Sequence, residues 1–64
     1  MYTVNNIPCI FINATPTFLR LRFANLAQVS AILQAGSVTI TNPAGAPLGP
    51  FTRWHSEGLE IIFK

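Results

Sequence analysis

Thr17-Phe18-Leu19-Arg20-Leu21-Arg22-Phe23, followed one residue later by Asn25-Leu26-Ala27-Gln28-Val29-Ser30-Ala31-Ile32-Leu33-Gln34-Ala35-Gly36, decides the fold class of this chain. In the first stretch Leu19, Leu21 and Phe23 alternate with Phe18, Arg20 and Arg22, the period of a half-buried strand. In the second the period changes. Leu26, Val29, Ile32 and Leu33 fall on one helical stripe. Asn25 suits the N-cap, Gln28 stands where it closes a capping-box-like pair, and Gly36 is placed for a left-handed C-terminal cap. The helix's other side combines Gln28, Ser30 and Gln34 with Ala27, Ala31 and Ala35, small residues that let another backbone come close or simply favour helix. A strand followed directly by one helix predicts an α+β domain.

Working outward, Ile7–Ile12 is a short apolar run rich in strand formers, bounded by Asn5-Asn6 and by Asn13-Ala14-Thr15-Pro16. It reads as a strand whose first half, carrying Pro8, lies at a strand start or a sheet edge, and the short turn after it predicts an antiparallel hairpin with Thr17–Phe23. Beyond the helix, Ser37–Thr41 alternates with Val38 and Ile40 inward. The three prolines and two glycines of Asn42–Pro50 predict a long irregular loop, a feature that tends to be functional. Phe51–Trp54 and Leu59–Phe63 read as two strands around the turn His55-Ser56-Glu57-Gly58. Glu60, Ile62 and Lys64 lie opposite Leu59, Ile61 and Phe63 on the last of them. The whole chain, residues 1–64, is expected to be a single domain. Its architecture is a small, mainly antiparallel sheet of four to five strands with one helix on one face, in the order β-β-α-β-β-β.

Charge narrows the functional classes. All six charged side chains sit at Arg20 and Arg22 or between Arg53 and Lys64, so Phe23–Thr52 is neutral, and the formal net charge is only +2. A surface that poor in charge suits contact with protein. So short a chain is also marginal by burial alone. Cys9 is the single cysteine, so a monomer has no disulfide, and one Cys with one His cannot complete the roughly four ligands of a structural zinc. Self-association, most simply a homodimer, is the remaining source of stability. No run approaches a membrane span, and the first residues lack the basic region and long apolar core of a secretory signal. A cytoplasmic protein with a reduced thiol is therefore expected.

No residue pattern carries catalysis, and none suggests a metal or cofactor. Cys9, inside Ile7-Pro8-Cys9-Ile10-Phe11, reads as a small buried hydrophobe. His55 reads as an exposed turn residue, and Glu57 and Glu60 as cross-strand partners of Arg20, Arg22 or Arg53. The function expected is a non-enzymatic protein-binding module that modulates or inhibits a larger partner. In size it falls among the small modulators that phages and mobile elements encode. Its partner contacts are expected at Phe18, Arg20, Arg22, Leu48, Phe51, Arg53 and Trp54, because Arg and aromatics anchor interfaces. Self-association is expected at Ala27, Ala31 and Ile62. The alternative is a nucleic-acid-binding protein that stacks bases on Phe18, Phe51 and Trp54 and holds phosphates with Arg20, Arg22, Arg53 and Lys64.

Overall fold

The computed structural model describes all of residues 1–64. The elements in chain order are β1 (Tyr2–Val4), β2 (Ile7–Ala14), β3 (Leu19–Arg22), α1 (Leu26–Gln34), β4 (Ile40–Thr41), β5 (Pro47–Leu48), β6 (Trp54–Glu57) and β7 (Glu60–Phe63). Every strand pairing is antiparallel, and the strand order is β5-β4-β1-β2-β3-β7-β6. The α+β class and the single helix are as expected. The sheet has seven strands rather than four to five, because it includes two short hairpin arms outside the expected set, one before Ile7 and one inside the stretch expected to be a loop.

The first is β1, joined to β2 by Asn5-Asn6. Both asparagines have positive φ, 50° and 68°, the conformation a two-residue turn of primed type requires, and asparagine tolerates it better than any residue with a branched or bulky side chain. The second is β5, inside the stretch expected to be a long loop. Asn42 organises that turn: its Oδ1 accepts from the backbone N–H groups of Ala44 and Ala46 at 3.0 and 2.9 Å, and its own N–H donates to the Ala46 carbonyl. Side-chain capping of this kind mimics a backbone turn, so proline on either side is tolerated.

Other boundaries move for local reasons. Only Ile40–Thr41 of the expected strand Ser37–Thr41 is paired. The final hairpin turns at Gly58-Leu59 and not at His55–Gly58, with Gly58 at φ 62° in the first central position, where glycine is favoured. The helix begins as expected: Asn25 Oδ1 accepts from Gln28 N–H at 2.9 Å, while Gln28 Oε1 accepts from Ala24 N–H at 3.2 Å. Its end differs, since Gly36 does not take a left-handed conformation and Ala35 leaves the helix extended. Val29 and Ile32 are buried, but Leu26 and Leu33 at the margin of the stripe are 65 % and 42 % exposed. Replacing the cap, Asn25→Ala, is expected to lower stability by about 1 kcal/mol. Urea denaturation reads this directly, and an unchanged midpoint would show that the cap does not hold the helix start.

Seven flat strands at about 4.8 Å spacing would separate the outer pair by about 29 Å. The molecule measures 25 × 22 × 21 Å, so the sheet curls. β2 is where it bends: residues Ile7–Cys9 pair with β1, whereas Ile10–Ala14 pair with β3. One core fills the concave side, formed by Val4, Cys9, Leu19, Leu21, Phe23, Val29, Ile32, Ile40, Ile61 and Phe63. Leu19, Leu21 and Phe23 thus face inward as their alternation predicts.

Candidate functional site

The convex face is built by the register of three strands. Arg20 stands opposite Ile62, which stands opposite His55; Arg22 stands opposite Glu60, which stands opposite Glu57. Side chains at these positions share one face. Arg20 Nη1 donates to Glu60 Oε1 at 2.6 Å and lies 3.6 Å from Glu57 Oε1. Arg22 Nη1 is 3.7 Å from Glu60 Oε2, and His55 Nε2 is 3.3 Å from Glu57 Oε2. The hydrogen bond to Glu60, with the charges of both glutamates, raises the Arg20 pKa further above its ordinary value. The glutamates therefore pair with Arg20 and Arg22 as the sequence predicts.

This pairing changes what the arginines offer. Two positive and two negative side chains cancel within the group, so the formal +2 of the chain resides on Arg53 and Lys64. Those two are backbone neighbours, each N–H donating to the other's carbonyl, at 3.3 Å from Arg53 and 2.8 Å from Lys64. Ile62, expected on a self-association surface, is only 3 % exposed and is flanked by Arg20 and His55. Their stems cover it, a common use of long polar side chains. It is not available to a second subunit.

The remaining expected contact residues do not share the convex face. Trp54 and Phe51 pack on the core, their rings 6.4 and 6.0 Å from that of fully buried Phe63, and Leu48 packs against the same cluster. Phe18 borders a cleft of about 330 Å³ shared with Thr15, Pro16, Thr17, the segment Gly49-Pro50-Phe51, and Lys64. Arg53 is exposed, as are Ala27 and Ala31 on the helix. Six of the seven residues thus divide between an ion-pair group, the core margin and a terminal cleft, and Arg53 stands exposed outside all three.

What the sequence reading missed is the exposure of β2. Read as a short apolar strand, it suggests burial, yet Ile10, Phe11 and Ile12 are 63 %, 44 % and 41 % exposed, with Met1 beside them also exposed. Phe11 lies on the concave side, where its ring stacks on Tyr2 at 5.3 Å. Ile10 faces the convex side beside Arg22. No charged side chain lies between Met1 and Thr17. Pro8 marks only the first half of β2, which β1 covers, so it does not signal the exposure of Ile10–Ile12.

Cys9 is buried and its Sγ donates to the Tyr2 carbonyl at 3.4 Å. Burial pushes the thiol pKa up to about 11 from 9.0. At pH 8 the native thiolate fraction is therefore about a hundredth of that in the unfolded chain, and a thiol reagent is expected to react about 100-fold more slowly than in urea. Equal rates would contradict this. The linked stability runs the same way. Below about pH 9 both states keep the proton; between pH 9 and about 11 the unfolded chain releases it and the native state does not, so stability falls as pH rises. Cys9→Ala removes that pH-dependent component.

No three His, Cys, Asp or Glu side chains converge in a geometry that could hold a metal, and no helix is long and apolar enough to cross a membrane. Compared with known protein families, curated proteins and solved structures, the chain matches none of them.

Proposed function

We propose that this chain is a small non-enzymatic protein-binding module that acts as a homodimer and modulates or inhibits a larger partner protein. The observation that carries the reading is one uncharged strand, β2, that exposes large apolar side chains on both faces, Ile10 and Ile12 on the convex side and Phe11 on the concave side. Scattered exposed apolar residues are ordinary; a contiguous set on one element, beside a buried core that already has its own residues, favours contact with other protein. The helix separately exposes uncharged side chains, Ala27 and Ala31 on its outer side and Leu26 and Leu33 at the margin of its stripe. Arg20 and Arg22 support the reading less directly: held by Glu57 and Glu60, they frame the surface without giving it a strong net charge.

The nucleic-acid alternative depends on free cations, of which Arg53 and Lys64 are the two outside the ion-pair group. Two phosphate contacts give weak, salt-sensitive binding. Immobilised protein should therefore enrich a defined protein from an extract of its source cell, identified by mass spectrometry and released by Ile10→Lys. No enrichment, together with binding of labelled single-stranded oligonucleotide at low salt, would replace the reading with the alternative.

A further inference from the structure

β2 is an inner strand by order, but half of it has an open edge. β1 covers Ile7–Cys9 only, so the side of Ile10–Ala14 turned away from β3 is unpaired. Which backbone groups point there follows from the two turns. The Asn5-Asn6 turn makes Val4↔Ile7 and Tyr2↔Cys9 hydrogen-bonded pairs, so Cys9 directs its N–H and C=O toward β1, and Phe11, two residues on, directs its own to the same side. From the other end, Thr15 N–H donates to the Phe18 carbonyl at 2.9 Å. Ala14↔Leu19 is then a non-hydrogen-bonded pair, and Ala14 also turns its groups to the open side. The extra residue Ile12, opposite no partner of its own, spaces the open groups of Phe11 and Ala14 three residues apart instead of two.

The true ends of the sheet differ from this edge. β5 is two residues long and contains Pro47, and β6 carries His55 and Glu57; short length, proline and charge are the usual devices that keep edges from pairing. Ile10–Ala14 has neither proline nor charge, and its one irregularity is the bulge at Ile12.

We infer that this edge pairs antiparallel with the same edge of a second copy, about a twofold axis between Ile12 and Asn13. The odd spacing selects the partner. An ordinary strand presents pairing groups every second residue and meets only one of the two open pairs, whereas a second copy carries the same three-residue interval. Phe11 then lies opposite Ala14 of the other copy and Ala14 opposite its Phe11, large against small. Four backbone hydrogen bonds close, and Ile10 and Ile12 extend the contact on the convex side. Like residues approach one another across a twofold axis, and an uncharged segment does so without repulsion. The charges that face the segment from β3, Arg22 opposite Ile10 and Arg20 opposite Asn13, are held by Glu60, and the remaining nearby charge is the α-amino group of Met1 beside Cys9 and Ile10. So small an interface gives a reversible dimer with a dissociation constant of roughly micromolar or weaker.

This inference rests on the protein-binding reading and names the partner that the open edge takes. Sedimentation equilibrium on the full chain, from low micromolar to about 1 mM, tests it. The wild type is expected to approach a dimer. Ile12→Lys, which sets two ammonium groups beside the axis, should weaken association at least about tenfold. A second variant guards against misfolding. A synthetic chain N-methylated at the Phe11 amide loses a donor that points away from β3, so it should keep the wild-type circular dichroism and also remain monomeric. A wild type that stays monomeric at about 1 mM, or a dimer unchanged by both modifications, would overturn the inference. If the monomeric wild type still captures a protein that Ile10→Lys releases, self-pairing alone is wrong; if it captures none, the protein-binding reading fails as well.

Discussion

Phe63→Ala leaves the chain largely unfolded at 25 °C. Phe63 is fully buried, ends β7 opposite both Leu19 and Trp54, and touches the rings of Phe51 and Trp54. It therefore joins three things: the central strand β3, the edge strand β6 and the incoming segment after β5. Truncating a buried phenylalanine costs about 3–5 kcal/mol. A domain of this length has roughly 3–10 kcal/mol in total, at ~0.05–0.15 kcal/mol per residue. At the lower end of that range, where so short a domain is expected to lie, the loss takes most or all of the stability. Far-ultraviolet circular dichroism and a thermal melt check it. A cooperative transition within a few degrees of wild type would show that the core does not depend on this residue. Phe63→Leu keeps most of the volume and should retain the fold with a lowered midpoint.

The second large effect is expected at Asn5, a residue that sequence pattern marks only as a boundary. Its φ of 50° disfavours residues with an ordinary Cβ environment, and its side chain bridges to the approach of β4. Oδ1 accepts from Thr39 N–H at 2.8 Å, Nδ2 donates to the Ser37 carbonyl at 3.2 Å, and its backbone N–H donates to the Thr39 carbonyl at 2.9 Å. Two side-chain bonds at about 1 kcal/mol each and a left-handed conformation worth about 1–2 kcal/mol give Asn5→Ala a loss of about 3–4 kcal/mol. Asn5→Gly separates the causes, because glycine accepts the positive φ and loses only the side-chain bonds. Urea denaturation should rank wild type above Asn5→Gly above Asn5→Ala. Equal midpoints for the two variants would mean that backbone conformation contributes nothing here.

The contrast between these residues shows where sequence was informative. Alternation placed Leu19, Leu21, Ile61 and Phe63 in the core because each lies on a strand with a clear inner face, and Asn25 with Gln28 marked the helix start because capping is local. Asn5-Asn6 and Asn42 were not legible as turns. Their conformations depend on hydrogen bonds to residues distant in sequence or on a side-chain cap within a proline-rich stretch, so β1 and β5 went unread and the sheet seemed too small. Ile62 was misjudged because alternation reports which face a residue is on, not whether charged stems from β3 and β6 cover that face.

The candidate surface was less legible than the core. Arg20 and Arg22 were rightly placed on the face away from the helix, but their partners Glu57 and Glu60 were needed to see that little of their charge is free. Phe51 and Trp54 look like interface anchors by residue type and lie instead on Phe63. Ile10-Phe11-Ile12 looked buried because an apolar run has no polar face to announce exposure. Its open edge comes from the short reach of β1, a property of the pairing and not of the run itself.

Amide hydrogen exchange followed by nuclear magnetic resonance addresses the central claim, that Ile10–Ala14 is an open edge completed by another protein strand. Ile10, whose N–H faces β3, should be protected at every concentration. Phe11 and Ala14 should exchange rapidly in dilute protein and become protected as concentration rises through the dimer transition. Phe11 and Ala14 amides that exchange rapidly at all concentrations, or are as slow as Ile10 in the dilute monomer, would contradict the account.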